Sequence, residues 1–167
     1  MAEARSFPPI ATPEAHCLIL GSMPGQASLV AGQYYAHPRN AFWPIMGKLL
    51  DFAPTAPYGE RVESLKQAGI AVWDVLESCF RPGSLDADIE PASIRVNDFA
   101  GFFAEHPKIK QIYFNGGMAE SSFRKHVQAH LDLTNITCQR LPSSSPAHAS
   151  LSFSEKYEFW KKLAGKK

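Results

Sequence analysis

Apolar residues along the chain fall into short continuous runs that alternate with stretches of helical spacing. His16-Cys17-Leu18-Ile19-Leu20 stops at Gly21 and predicts a buried strand. After a loop rich in Gly, Pro and Ser, Phe42, Ile45, Met46, Leu49 and Leu50 recur on one helix face, with Pro38 near the start. Val62, Leu65 and Ala68 predict a second short helix, and Ile70 to Val75 a second strand. A loop is expected over 77–91. The next helix, capped by Asn97 or Asp98, turns Phe99, Phe102 and Phe103 inward. Residues 109–114 read as a third strand. Ala119, Phe123, Val127 and Leu131 predict a helix, and 136–141 a fourth strand. Ser152 or Ser154 caps a last helix with Phe153, Tyr157, Trp160 and Leu163 on one stripe. The segment before Pro13 reads as an irregular lead-in.

Strands alternating with helices imply an α/β fold, a parallel sheet covered on both faces. No repeat, low-complexity tract or linker divides the chain, so residues 1–167 are expected to form a single domain. Ligands of such sheets bind beyond the carboxyl ends of the strands. That directs attention to the loops over 21–40, 74–89, 115–117 and 142–150.

Composition narrows the class. Of 167 residues, 45% are hydrophobic and 20% charged, which supplies a core and argues against disorder. No apolar run approaches the roughly 18 residues of a membrane helix. No basic segment followed by an apolar run opens the chain, so a cytoplasmic protein is expected. Net charge is only +1, so any cationic face for nucleic acid must be local. Lys161, Lys162, Lys166 and Lys167 suit such a face, or equally a solvated helix end. Cys17, Cys79 and Cys138 are scattered and odd in number, fitting neither a disulfide framework nor a metal site. Cys17 and Cys138 read as small buried hydrophobes.

The first loop holds Gly21-Ser22-Met23-Pro24-Gly25, then Tyr34-Tyr35-Ala36-His37-Pro38-Arg39-Asn40. Its glycines and proline suit a tight turn whose amides face a ligand, or a plain strand-to-helix turn. Rings beside donors are what a stacked base requires, although two core tyrosines would look the same. Asn115 closes the third strand. Its amide can read a base edge, or simply satisfy the turn Asn115-Gly116-Gly117. Pro142-Ser143-Ser144-Ser145-Pro146-Ala147-His148 combines hydroxyls with two prolines, as a phosphate-backbone contact or a polar surface loop would.

Together these loops resemble the uracil-DNA glycosylase superfamily, over about Ala15 to Leu163 and in the family's order. Gly21-Ser22-Met23-Pro24-Gly25 with His37-Pro38-Arg39-Asn40-Ala41-Phe42-Trp43 is similar to the mismatch-specific uracil glycosylases. Ser78-Cys79-Phe80-Arg81-Pro82-Gly83-Ser84-Leu85-Asp86, Phe114-Asn115-Gly116 and Leu141 to Pro146 bring the set closer to the hypoxanthine-DNA glycosylase branch. The resemblance implies a three-layer α/β/α sandwich with a four-stranded parallel sheet, base flipping, no cofactor and hydrolysis of the N-glycosidic bond. It matches Tyr35 to the aromatic that stacks on the flipped base and Asn115 to a residue at the base edge. It matches residues 143–148 to the loop that pinches the backbone and inserts beside the vacated base. Ser22 and Met23 join the base-binding set.

Two positions depart from the family. Many relatives carry Asp or Asn where this chain has Met23, which cannot polarise water, and the most active uracil branch has His where Ser143 stands. The hypoxanthine branch shares the first departure, and there the Asn matching Asn40 is the catalytic group. Asn40 is no general base, but its carbonyl can orient water against the sugar carbon. His37 and His148 are further candidates for assisting protonation, His37 also reading as a structural residue beside Pro38. The expected partner is single- or double-stranded DNA carrying a deaminated base, hypoxanthine before uracil, acted on by a monomer without metal or membrane. Two rival readings are a serine hydrolase, with Ser22 or Ser145 as nucleophile and His148 as base, and a non-catalytic DNA- or nucleotide-binding relative.

Overall fold

The computed structural model describes residues 3–164. In chain order its elements are β1 (Glu3–Arg5), β2 (Cys17–Gly21), α1 (Gln26–Ala31), α2 (Phe42–Leu50), α3 (Tyr58–Gln67), β3 (Ile70–Asp74), β4 (Leu76–Phe80), β5 (Arg95–Val96), α4 (Phe99–Glu105), β6 (Gln111–Asn115), α5 (Gly117–His126), β7 (Thr137–Leu141) and α6 (Phe153–Trp160). The four expected strands form one parallel sheet in the order β3-β2-β6-β7. Helices cover both of its faces. Leu18, Leu20, Ala71, Trp73, Ile112 and Phe114 meet Phe99 and Phe102 of α4 and Phe123 of α5. Cys17, Ile19, Ile70, Val72 and Tyr113 meet α2, Leu65 of α3 and Trp160 of α6. Two buried faces are why β2 and β3 read as unbroken apolar runs. The register sets Gly21 beside Asp74 and Asn115 beside Leu141, so the strand ends form a row along one edge.

Four sequence expectations are corrected. The lead-in is not irregular: β1 pairs with β4, and Ile10 bridges Val72 at the edge of β3. The loop expected from Glu77 opens instead with β4, the centre of a second, antiparallel sheet of order β1-β4-β5. The first loop contains α1, a six-residue helix too short to show a period, and α2 begins at Phe42 rather than near Pro38. Helix α5 ends at His126, so Leu131 lies beyond it, after a 3-10 turn over Gln128–His130.

The caps resolve to one residue each. Asp98 accepts from the Gly101 amide at 3.0 Å. Ser152 and Glu155 form a reciprocal capping box on α6. Leu163 falls in a 3-10 extension of α6. Cys17 and Cys79 are buried, and burial pushes the Cys17 thiol up to about 12, while Cys138 is only half-buried on the edge strand β7. Lys161 pairs with Glu158, and Lys166 and Lys167 lie outside the described residues. No helix among the described residues is long and apolar enough to cross a membrane.

Candidate functional site

A cavity of about 510 Å3 opens at the carboxyl edge of the parallel sheet. The loop after β2 contributes Ser22, Met23, Tyr35, His37 and Asn40 to its lining. The end of β6 contributes Asn115, and the loop after β7 contributes Ser143, Ser144, Ser145, Pro146 and His148. Every residue singled out in the sequence as catalytic, base-contacting or backbone-contacting therefore faces one space.

The two adjacent tyrosines divide. Tyr34 is a core residue, 3% exposed, whose hydroxyl donates to the Pro8 carbonyl at 2.9 Å and whose own carbonyl accepts the Trp43 indole N–H. Burial, and then the charge of Asp74, push its phenol well above the usual range. Tyr35 lines the cavity beside Tyr34 and is only partly buried. It adopts a left-handed backbone (φ 54°), a conformation costly for a bulky residue and concentrated at functional sites. Ser28 holds this bend by accepting the Ala36 amide at 3.0 Å. One face of the Tyr35 ring stacks on Phe42, with centroids 4.1 Å apart.

Asn40 has a structural task beside any chemical one. Its Oδ1 accepts the Phe42 amide at 2.9 Å, which satisfies a free donor at the start of α2. One carbonyl lone pair and the amide hydrogens remain for other partners. His37 Nδ1 accepts the Arg39 amide at 3.0 Å, so the neutral ring carries its proton on Nε2. Asn115 is engaged at both ends of its amide. Oδ1 accepts the Ser144 amide at 2.8 Å and Nδ2 donates to Ser144 Oγ at 2.9 Å, leaving one N–H. Ser145 Oγ accepts the Ala147 amide at 3.1 Å.

The fourth loop is held from below by α6. Trp160 Nε1 donates to the Pro142 carbonyl at 2.9 Å and Lys156 Nζ to the Ser145 carbonyl at 3.2 Å. Lys156 is 5% exposed, and desolvation lowers its pKa. Gly116 lies under the same loop. Its φ of 94° suits glycine, and a Cβ there would stand 3.0 Å from Ser143 Cβ.

Asp74 escaped the sequence reading. It ends β3, is 3% exposed and lines the cavity. A Cβ on Gly21 would meet Asp74 Oδ1 at 2.6 Å and the Tyr35 hydroxyl at 2.9 Å, so three strand-end or loop groups crowd one point. The available signal was its place: a carboxylate directly after the apolar run Ile70-Ala71-Val72-Trp73. Ser84 and Leu85, quoted in the resemblance without a role, also line the space. Among the described residues no group of three or more His, Cys, Asp or Glu is arranged to hold a metal ion. The cavity thus offers a ring, a carboxyl group, amide groups and a hydroxyl-rich loop.

Known proteins similar to this chain come from one family. The family model of the uracil DNA glycosylase superfamily matches residues 8–164. A hypoxanthine DNA glycosylase of Methanosarcina barkeri is 36% identical over 113 residues, 67% of this chain and 70% of that protein. A hypoxanthine DNA glycosylase of Methanosarcina acetivorans is 36% identical over 116 residues, 69% of this chain and 72% of that protein. A solution NMR structure from Methanosarcina acetivorans, described as a candidate uracil DNA glycosylase, matches with a TM-score of 0.78 at 31% identity, covering 97% of this chain and 99% of that one.

Proposed function

Because the chain belongs to the uracil DNA glycosylase superfamily and is a DNA glycosylase, we propose that it excises a deaminated base, hypoxanthine first and uracil second, by flipping it into this cavity. The observation that carries the substrate choice is the Asp74 carboxylate at the cavity wall, beside Gly21 and the Tyr35 hydroxyl. Deamination converts the N1 acceptor of adenine into the N1–H donor of hypoxanthine, and the N3 acceptor of cytosine into the N3–H donor of uracil. An ionised carboxylate only accepts. It pairs with either product of deamination and faces a lone pair on either parent base, a mismatch costing at least about 1–3 kcal/mol.

Extruding a base costs a few kcal/mol, least where the pair is already a mismatch. Stacking on the Tyr35 ring returns about 1–3 kcal/mol. The edge-reading role expected of Asn115 passes in this proposal to Asp74, and Asn115 serves the base by holding Ser144. The hydroxyls and amides of Ser143, Ser144 and Ser145 contact the DNA backbone, and Pro146 and His148 stand beside the vacated stack.

Breaking the C1′–N bond moves its electron pair onto the base and leaves positive charge on the sugar. Asn40 orients a water through its second carbonyl lone pair, and the water oxygen bonds to C1′ as its proton leaves to solvent. His37, protonated on Nε2, donates toward the departing base. Ser22 and Met23 complete the wall behind that base. No step calls for a cofactor or metal, and the enzyme acts as a cytoplasmic monomer of one domain.

Incubation with a panel of single- and double-stranded oligonucleotides carrying hypoxanthine, uracil or xanthine, followed by alkali, tests the reading. Strand breaks are expected at hypoxanthine above all. Tight binding without breaks at any of the three bases would overturn it in favour of a non-catalytic relative.

A further inference from the structure

Behind the cavity wall sits a buried cation that forms no ion pair among the described side chains. Arg81 follows β4 and is 3% exposed. Its Nη2 donates to the Pro24 carbonyl, while Nε and Nη1 meet no acceptor among the described residues. Two further bonds tie the same segment to the same turn. The Gln26 amide donates to Ser84 Oγ at 2.8 Å, and Gln26 Nε2 donates to the Gly83 carbonyl at 3.3 Å. Pro24 and Gly25 line the cavity, so Arg81 and Gly83 buttress its wall while Ser84 reaches the lining itself.

A guanidinium stays protonated in proteins, and burying it unpaired is costly. One hydrogen bond to a carbonyl does not account for a charge there, since a neutral amide would make the same bond. The cavity already holds the Asp74 carboxylate, whose charge opposes any negative charge gathering on a departing base. A buried cation in a medium of low dielectric constant acts across such a wall with little screening.

We propose that Arg81 is a positioning residue for base excision: it fixes the Met23-Pro24-Gly25 wall through the Pro24 carbonyl, and its buried charge favours departure of the base as an anion. This rests on the glycosylase reading above. No group is transferred to Arg81; the C1′–N electron pair goes to the base, water supplies the new C1′–O bond, and its proton is released.

The experiment compares wild type with Arg81→Met, Arg81→Gln and Arg81→Lys, each checked by thermal melting. Single-turnover excision is measured on duplexes carrying hypoxanthine or the more acidic xanthine. Affinity is measured on a duplex with non-cleavable 2′-fluoro-deoxyinosine. The neutral variants are expected to excise hypoxanthine about 100-fold more slowly with unchanged affinity. Their loss should be smaller on xanthine, which needs less help to leave, and Arg81→Lys should restore at least about tenfold. Wild-type speed in a folded neutral variant, or equal losses on the two bases, would overturn the inference. If the neutral variants do not fold, Arg81→Lys decides: excision of hypoxanthine within about tenfold of wild type supports the inference, and a loss of about 100-fold in the folded variant overturns it. Failure of wild type to excise either base would instead remove the glycosylase reading itself.

Discussion

Asn115 and Ser144 bind each other twice, the Ser144 amide to Asn115 Oδ1 at 2.8 Å and Asn115 Nδ2 to Ser144 Oγ at 2.9 Å. Ser144 is 1% exposed, and its carbonyl accepts the Ala41 amide at 2.9 Å. One serine thus joins the end of β6, the loop after β7 and the start of α2. Asn115→Ala leaves two buried groups of Ser144 unpaired and is expected to cost about 1–3 kcal/mol of stability. Urea denaturation gives that value, and titration of substrate DNA should show weaker binding as the loop loosens. Unchanged stability would mean that the loop holds itself.

Asn40 needs two substitutions, because it both ends a turn and faces the cavity. Asn40→Ala removes the acceptor of the Phe42 amide and should cost about 0.5–2 kcal/mol of stability. Asn40→Ser keeps a capping oxygen and should melt near wild type. Both should excise hypoxanthine about 100-fold or more slowly in single-turnover assays, since the water is no longer oriented. Wild-type excision by Asn40→Ser would confine Asn40 to its turn.

Gly21→Ala places a methyl group 2.6 Å from Asp74 Oδ1 and 2.9 Å from the Tyr35 hydroxyl. Neither is the end of a long flexible chain, so both must shift. Excision should fall by about 100-fold or more, with a stability loss of about 1–3 kcal/mol from overpacking. Parallel melting and excision assays check it, and full activity would show that Asp74 and Tyr35 move without consequence.

Tyr35→Leu removes the ring that lies 4.1 Å from Phe42 and lines the cavity. Loss of base stacking of about 1–3 kcal/mol predicts roughly 10- to 100-fold less extruded base. A 2-aminopurine reporter beside the lesion measures extrusion directly. An unchanged signal would assign the ring to core packing alone.

The parallel sheet was legible because burial on both faces leaves an unbroken apolar run, as in Leu18-Ile19-Leu20 and Ile70-Ala71-Val72. The small sheet was not. Glu77 and Ser78 break any apolar run in β4, and its partner Ala4 lies far away in the chain from Cys79. The site loops were legible through residue type, since rings, amides and hydroxyls gathered where strands end. Asp74 opens the loop expected over 74–89, but the apolar pair Val75-Leu76 that follows it makes it read as a strand residue rather than as a site carboxylate. The two hydrogen bonds between Asn115 and Ser144, and the one from the Phe42 amide to Asn40, depend on side-chain directions that spacing alone does not convey.

The most direct measurement compares single-turnover excision of hypoxanthine and of adenine, from otherwise identical duplexes, by wild type and Asp74→Asn. Asn is nearly isosteric, so folding should hold. Wild type should cut at hypoxanthine and leave adenine intact, and Asp74→Asn should lose about 100-fold on hypoxanthine as the acceptor-only edge disappears. Excision of hypoxanthine by Asp74→Asn at wild-type speed would contradict the reading of the base by this carboxylate.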